Sequence, residues 1–505
     1  MYLVISAAAL IFRTFLIMRD SFPFAYDMGR DLLWVKDIAF YGTPTLIGPA
    51  ASIWGVYFGP FWYYFLALPL LISGGNPVSA VYITAISVVL SGTLAFIFFK
   101  NHLGKFFAFI LSVIILFNSN LINISTFAFH ANLLPLLTIF LIYFCYLSVI
   151  KNSLYLAPAF LSASLMFSAD PAPAVVFSFI PAIVFLNFKL YKSKNLIRIL
   201  LLSLLAYTIP FIPQIIFELR NNFIQTKSLT SYFMGNNPSL SGHLPFFERL
   251  ANRLEIFLDF TSSNFTGNNK TLAVILIIST VAGIYKFFKT GTNPKIKVLA
   301  KINLLCFLTS ILTFTILFTV EVKNWYLYGL GIPGAFLITF SLYAFKKNKL
   351  LIYIFLIFYL VINLSHFFSY GKKYLWYKDP AQLVNQTTAI NLIYSDIGKE
   401  DFSVYVFSPP IYDLNYQYLF WWQGEKLQKG LPSDFAYLPN QPDYVRNKNN
   451  YQNNSKISKN IYLIIENSTE NIAYSKNEWF KKFKDYKIVW EKNINGAITV
   501  QKRAI

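Results

Sequence analysis

In the segment FAYDMGRDLLWVKDIAF at positions 24–40, Asp27, Arg30 and Asp31 stand at i, i+3 and i+4, so a helix would present all three on one face. Leu32, Leu33, Trp34, Val35, Ile38 and Phe40 would cover an apolar side of that helix. The segment reads as an interfacial helix with an acidic entry point. The alternative is structural, with Asp27 as a helix N-cap and Arg30 with Asp31 as a solvated ion pair. Farther along, Arg220 in FELR, then Lys227, Arg249 and Arg253, and Lys323 ahead of Trp325 and Tyr326, are cations on the expected outer side that could hold an anion. Arg220 leads this group because an arginine fork matches phosphate oxygens. Its alternative is an ion network with Glu218, and the other cations could be headgroup anchors. His130 and Asn132 open an apolar run and are candidates for lining a cavity or for a structural helix start. Asp170 in SADPAP reads as a helix N-cap. The histidines (His102, His130, His243, His366) are not spaced i, i+4 with a carboxylate, so zinc hydrolysis fits poorly, although Asp27, Asp31 and Glu218 could offer oxygens to Mg²⁺.

These groups have to be positioned by a chain of 505 residues in which 56% are apolar or aromatic and 13% are charged. An ordinary soluble domain has about 45–50% apolar and about 25% charged residues, so a water-soluble globule is excluded. The two cysteines, Cys145 and Cys306, lie in apolar runs and exclude a disulfide framework. Segments near 1–18, 79–99, 106–124, 131–150, 153–169, 171–187, 197–217, 271–288, 303–320, 325–345 and 350–369 are apolar over the roughly 20 residues that a membrane span needs. Three connections carry lysines and arginines without acids, around 189–198, 286–301 and 346–349, and the positive-inside tendency puts them in the cytoplasm. Strict alternation then puts the N terminus inside and leaves 19–78, 218–270 and everything after about 370 outside. The Gly/Pro-flanked stretch 57–73 is read as an amphipathic or re-entrant segment on the outer leaflet, the alternative being a span with an outside N terminus.

The net charge of +20 resembles a nucleic-acid signal, but the tail holds eighteen Lys/Arg against thirteen Asp/Glu, which leaves fifteen net charges on the membrane part. The basic balance therefore reflects topology, and no nucleic-acid partner is expected. Two domains are expected: a membrane domain over 1–370 and an extracytoplasmic domain over 371–505. The tail pattern predicts a helix at 381–397, strands at 402–407, 461–465, 486–490 and 497–501, and an Asn-rich gap at 447–454. The FWW run at 420–422 could stack on a sugar or fill a core.

An Asp shortly after the first helix, then GPFWYYFLALPLLISGGNP, then a helix ending in a basic turn resemble the membrane glycosyltransferases of the GT-C superfamily. Within it, the order of features is similar to the protein O-mannosyltransferase and aminoarabinose transferase branch. FHANLLPLL at 129–137, PQIIFELRNNF at 213–223 and KNWYLYGLGIPGAFLI at 323–338 also resemble members of that group. The resemblance covers roughly residues 1–370.

It implies an all-α polytopic transmembrane bundle of about 11 to 13 helices, GT-C type, with a small C-terminal extracytoplasmic α/β domain. The protein would be a multi-pass protein of the plasma membrane. It would move a sugar from a polyprenyl-phosphate-linked donor to a glycan, lipid or protein acceptor at the outer face. The resemblance implies Asp27 as the catalytic carboxylate, with Asp31 second. The group often has a Glu beside its first acid, where this chain has Met28. Arg220, Lys227, Arg249, Arg253 and Lys323 would serve the donor phosphate, while Arg30, His130, Asn132, Glu218 and Tyr326 would line the cavity. No cofactor or catalytic metal is implied. The sequence lacks a Gly-rich phosphate loop, which favours a lipid-linked donor over a nucleotide sugar. A lipid-linked saccharide flippase is the competing reading, but it calls for charges along the spans, which here are almost free of ionisable groups. A glycan polymerase or ligase is the third reading.

Overall fold

The computed structural model describes residues 2–234, 245–290, 293–318, 321–375, 377–398, 400–408, 412–441, 443, 445–446, 458–467 and 475–504. The Asn-rich stretch 447–454 lies outside the described residues. Long apolar runs become helices because hydrocarbon leaves each backbone N–H and C=O no partner but its own segment. The membrane part consists of α1 (Tyr2–Ile17), α2 (Tyr26–Tyr41), α3 (Phe61–Ile72), α4 (Val78–Leu103), α5 (Lys105–Leu116), α6 (Ser119–Ile124), α7 (Leu134–Ile150), α8 (Leu156–Leu165) and α9 (Pro171–Asn187). It continues through α10 (Leu196–Thr208), α11 (Ile212–Arg220), α12 (Ile224–Phe233), α13 (Phe246–Phe265), α14 (Lys270–Lys289), α15 (Pro294–Ile316), α16 (Gly331–Tyr343) and α17 (Lys349–Leu375). The chain is an integral multi-pass membrane protein. Among the described residues, seven helical segments are long and apolar enough to cross a bilayer, and five further apolar helices are shorter.

Several expected boundaries move, each for a local reason. The run 106–124 is broken rather than continuous: α5 stops at Leu116, and the Asn118 side chain accepts from the Leu121 N–H to cap the one-turn helix α6. The span expected at 303–320 starts earlier, at Pro294, and ends at Ile316. Asn293 caps it by accepting from the Lys295 N–H, and proline fits the first helical position. Lys295, Lys297 and Lys301 therefore ride on the first turns of α15 instead of lying in a loop. The Gly/Pro-flanked stretch forms the 12-residue helix α3, about 18 Å long and too short for a hydrocarbon core of about 30 Å. The expected outer loop 218–270 is largely helical, containing α12 and α13.

The tail contains α18 (Leu383–Ile397), α19 (Leu414–Leu427) and α20 (Lys476–Lys481) around a five-stranded sheet. Its strands are β1 (Ser403–Phe407), β2 (Asp434–Ala436), β3 (Ile461–Glu466), β4 (Lys487–Ile494) and β5 (Ile498–Ala504), in the order β2-β1-β3-β5-β4. The β2-β1-β3 half is parallel and the β3-β5-β4 half antiparallel. Side-chain alternation splits the sheet into two faces. Tyr405, Phe407, Ile461, Leu463 and Ile465 pack on Trp479 and Phe483, while Val404, Val406, Tyr462 and Ile464 join the core that continues into the membrane bundle. Phe420, Trp421 and Trp422 are buried in that continuous core, as expected for a packed FWW run.

The tail is fastened to the segment between α1 and α4. Backbone hydrogen bonds run from Phe24 N–H to the Ala381 carbonyl (2.7 Å), from Leu383 N–H to the Phe22 carbonyl (3.1 Å) and from Val384 N–H to the Asp20 carbonyl (3.0 Å). Tyr418 donates to the Gly75 carbonyl at 2.6 Å, and Trp421 to the Tyr41 hydroxyl at 3.0 Å. Helix α19 lies so close to α2 that a Cβ on Gly29 would fall 2.4 Å from the Asn415 backbone. Gly29→Ala is therefore expected to lower stability by about 1–3 kcal/mol through overpacking. Thermal unfolding and limited proteolysis of the tail read this out, and wild-type behaviour would show that α19 yields instead.

Asp413, at the start of α19, is buried; burial lifts its carboxyl to about 7 against the opposing hydrogen bond from Gln417. Its raised pKa means the folded state keeps a proton that the unfolded state releases near the ordinary value, so stability is expected to fall as pH rises toward and through 7. Thermal unfolding between pH 5 and 8 should show that slope, and Asp413→Asn should reduce it.

Candidate functional site

Helix α2 starts from Ala25 at its N-cap position, so Asp27 is not the cap but a first-turn residue at the positive end of the helix. One turn on, Arg30 reaches both carboxylates. Its Nη1 lies 2.8 Å from Asp27 Oδ1, its Nη2 lies 2.8 Å from Asp31 Oδ1, and its Nε donates to Asp31 Oδ1 at 2.9 Å. The remaining Asp31 oxygen accepts from Trp62 Nε1 at 2.8 Å, which ties α2 to α3. The two acids differ in access: the Asp31 side chain is 2% exposed and the Asp27 side chain 50%. Burial alone would lower the Arg30 pKa, but Asp31 and Asp27 outweigh it and hold the guanidinium charged. Tyr63 joins this network and stacks on Trp34 at 6.4 Å.

A second wall faces this cluster. His130, buried at the start of a 3-10 turn leading into α7, donates from Nδ1 to the Ala169 carbonyl. Its ring stands edge-on to Phe58 at 4.7 Å, within electrostatic reach of Arg30. The next residue, Asp170, caps α9 by accepting from the Ala172 N–H at 3.0 Å, as its sequence context suggests. It also hydrogen-bonds Trp325, and burial lifts its carboxyl to about 7 against those donors. Trp325 packs edge-on against Phe129, and Tyr326 lies parallel to Phe314. An exposed carboxylate, a charged guanidinium, a buried acid near neutrality and several aromatic rings thus meet at one end of the bundle.

The remaining candidates take up separate positions. Arg220 is exposed at the end of α11, and its guanidinium has no partner among the described residues. Glu218 does not hold it. That carboxylate instead accepts from the Gln225 N–H (2.9 Å), the Thr226 N–H (2.9 Å) and the Thr226 hydroxyl (2.7 Å), so it caps α12. The α11–α12 corner is drawn toward the first segment, because Gln225 accepts from the Tyr57 N–H and Gln214 donates to the Tyr57 carbonyl. Lys227 is exposed, and Arg249 is half-buried near the Phe246 ring. Arg253 is buried and donates to the carbonyls of Phe314 and Phe318, which fastens α13 to the end of α15. Lys323 pairs with Glu321. Asn132 donates to the carbonyls of Ile124 and Phe127 and fixes the turn beneath His130.

Sequence reasoning missed one charged cluster. Lys36 is fully buried against Asp37, between the rings of Tyr41 (4.7 Å) and Trp421 (5.6 Å). Arg446 lies over Trp34 at 4.3 Å and 3.6 Å from Asp37. The Lys-Asp dipeptide in VKDIAF is visible in the sequence, but nothing local marks Trp421 and Arg446 as its partners.

No family model matches the chain, and no curated protein matches it. Two solved structures are similar along nearly the whole length. The crystal structure of ArnT from Cupriavidus metallidurans bound to undecaprenyl phosphate aligns with a TM-score of 0.59 at 10% identity, covering 99% of this chain and 98% of that one. The apo state of the same protein aligns with a TM-score of 0.60 at 10% identity, covering 99% and 97%. The chain has a GT-C fold. Within the GT-C fold of this chain, the tail sheet and the helices between α1 and α4 belong to the shared architecture, since the match spans both ends.

The two acids of α2 should separate on mutation. Asp31→Asn removes the buried partner of Arg30 and is expected to cost about 3–5 kcal/mol of stability. Asp27→Asn alters a half-exposed ion pair and should stay within about 1 kcal/mol. Thermal unfolding of both variants in detergent compares them directly, and equal losses would overturn the assignment of different roles.

Proposed function

We propose that this protein is an integral-membrane glycosyltransferase that moves a sugar from a polyprenyl-phosphate-linked donor to an acceptor at the outer face of the membrane. The observation that carries the reading is the asymmetry of the α2 acids: Asp27 is open to a substrate, while Asp31 is closed off by Arg30 and Trp62. In this reading Asp27 takes the proton of the acceptor hydroxyl, whose oxygen then bonds to the anomeric carbon as the carbon–phosphate oxygen bond breaks. The electron pair leaves with the polyprenyl phosphate. Asp31 positions Arg30, and Arg30 orients Asp27. His130, Asp170, Trp325 and Tyr326 form the opposite wall, and Arg220, Lys227, Arg249 and Lys323 supply cations for the leaving phosphate. Arg253, engaged with two carbonyls, holds α13 in place instead. The ArnT structure holds undecaprenyl phosphate, and its likeness to this chain supports a polyprenyl phosphate as the leaving group. The reading keeps a membrane domain over 1–370 and an extracytoplasmic domain over 371–505, with the N terminus in the cytoplasm.

The test presents protein in nanodiscs with a panel of short-chain polyprenyl-phosphate sugars and follows release of polyprenyl phosphate by mass spectrometry. Asp27→Asn is expected to lower release by about 10²–10⁴-fold. Equal release from both proteins would remove Asp27 as the base, and binding without release would favour a carrier of lipid-linked sugars.

A further inference from the structure

A groove with a volume of about 420 Å³ opens on the far side of the 3-10 segment Asn324–Leu330, away from the Asp27 cluster. It lies between α6, the α13–α14 corner and that segment, lined by Asn120, Asp259, Asn268, Lys270, Asn324 and Tyr328 among others. The 3-10 segment is a shared wall: Trp325 turns to Phe129 and Asp170, whereas Asn324 and Leu327, which eclipse at i, i+3, face the groove.

The lining specifies a ligand class. The side-chain amides of Asn120 and Asn324 are not engaged by other described residues, so donors and acceptors stand ready at two edges. Phe260 and Tyr328 add aromatic surface. Amides, hydroxyls and an aromatic ring in one groove match a polyhydroxylated ring, which has an apolar face and a polar rim. Lys270 lies 2.6 Å from Asp259 and 3.8 Å from Glu255, so two carboxylates face one ammonium. This local excess of negative charge disfavours a phosphate and suits a neutral or amino sugar.

We propose that this groove is a second saccharide-binding site, taking a neutral or amino sugar ring on the side of the 3-10 segment opposite the Asp27 centre. Asn120 and Asn324 bind the ring hydroxyls, Tyr328 covers a face, and Asp259 receives an amino group. That the ring belongs to the acceptor rests on the glycosyltransferase reading; that the groove binds sugar does not.

Saturation-transfer NMR on the full chain in nanodiscs would titrate methyl α-mannoside, methyl β-glucosaminide, glucose 1-phosphate and glycerophosphoethanolamine. Saturable binding of the two glycosides is expected, tighter for the glucosaminide. Asn120→Ala should weaken both by about fivefold, equivalent to one hydrogen bond. Asp259→Asn should remove the preference for the amino sugar. No saturable binding, unchanged binding in Asn120→Ala, or glucose 1-phosphate or glycerophosphoethanolamine binding as well as the glycosides would overturn the proposal. Asp27-dependent donor release without glycoside binding would sink the groove and leave the transferase standing. Glycoside binding without any release would do the reverse.

Discussion

A half-buried guanidinium at the edge of a membrane protein constrains everything around it. Arg30 has lost much of its contact with water, and two carboxylates in a fixed geometry replace the hydration it has lost. Burial pushes the Asp31 carboxyl up, against Arg30 on one oxygen and the Trp62 indole N–H on the other, and the two donors hold it in place. This requirement draws α3 against α2 and sets the face that α2 turns toward the bundle. The opposite face of α2, stripped to hydrogen at Gly29, is then available to α19. Asp27 inherits its position from these contacts, since the group that restrains it is itself restrained.

Electrostatics and aromatic packing divide the labour at the opposite wall. His130 is pinned by the Ala169 carbonyl, and Asp170 is pinned by a backbone N–H and Trp325. Burial lifts the Asp170 carboxyl to about 7 against the Ala172 N–H and Trp325. The two acids also differ in access, because the Asp27 side chain is half-exposed and Asp170 is buried.

Much of this was legible in the sequence, for identifiable reasons. The i, i+3, i+4 spacing of Asp27, Arg30 and Asp31 is a one-helix property, and it reads directly onto α2. Residues 404–407 in β1 and 461–465 in β3 are continuous apolar runs because both faces of the sheet are covered. Other features were hidden because they depend on distant partners. Glu218 stands two residues from Arg220 yet serves the N–H groups of α12, a choice set by a chain reversal at Asn222 and Phe223, both at positive φ. Arg253 looks like a phosphate ligand by residue type, but its fork meets carbonyls at the end of α15. The short strand β2 carries too few residues to show a period, and Lys36 gives no local hint of the rings that enclose it.

The attachments between the first outer segment and the tail join residues far apart in the chain: Ser21 with Gln382, Tyr41 with Trp421 and Gly75 with Tyr418 are separated by 361, 380 and 343 positions. A ribosome adding roughly 5–20 residues per second would need on the order of tens of seconds to cover that distance. Throughout that interval the docking face of α2 has no α19 to cover it. The helix that carries Asp27 is synthesised long before α19 and secured only after it, so its maturation is timed by the arrival of the tail rather than by its own emergence.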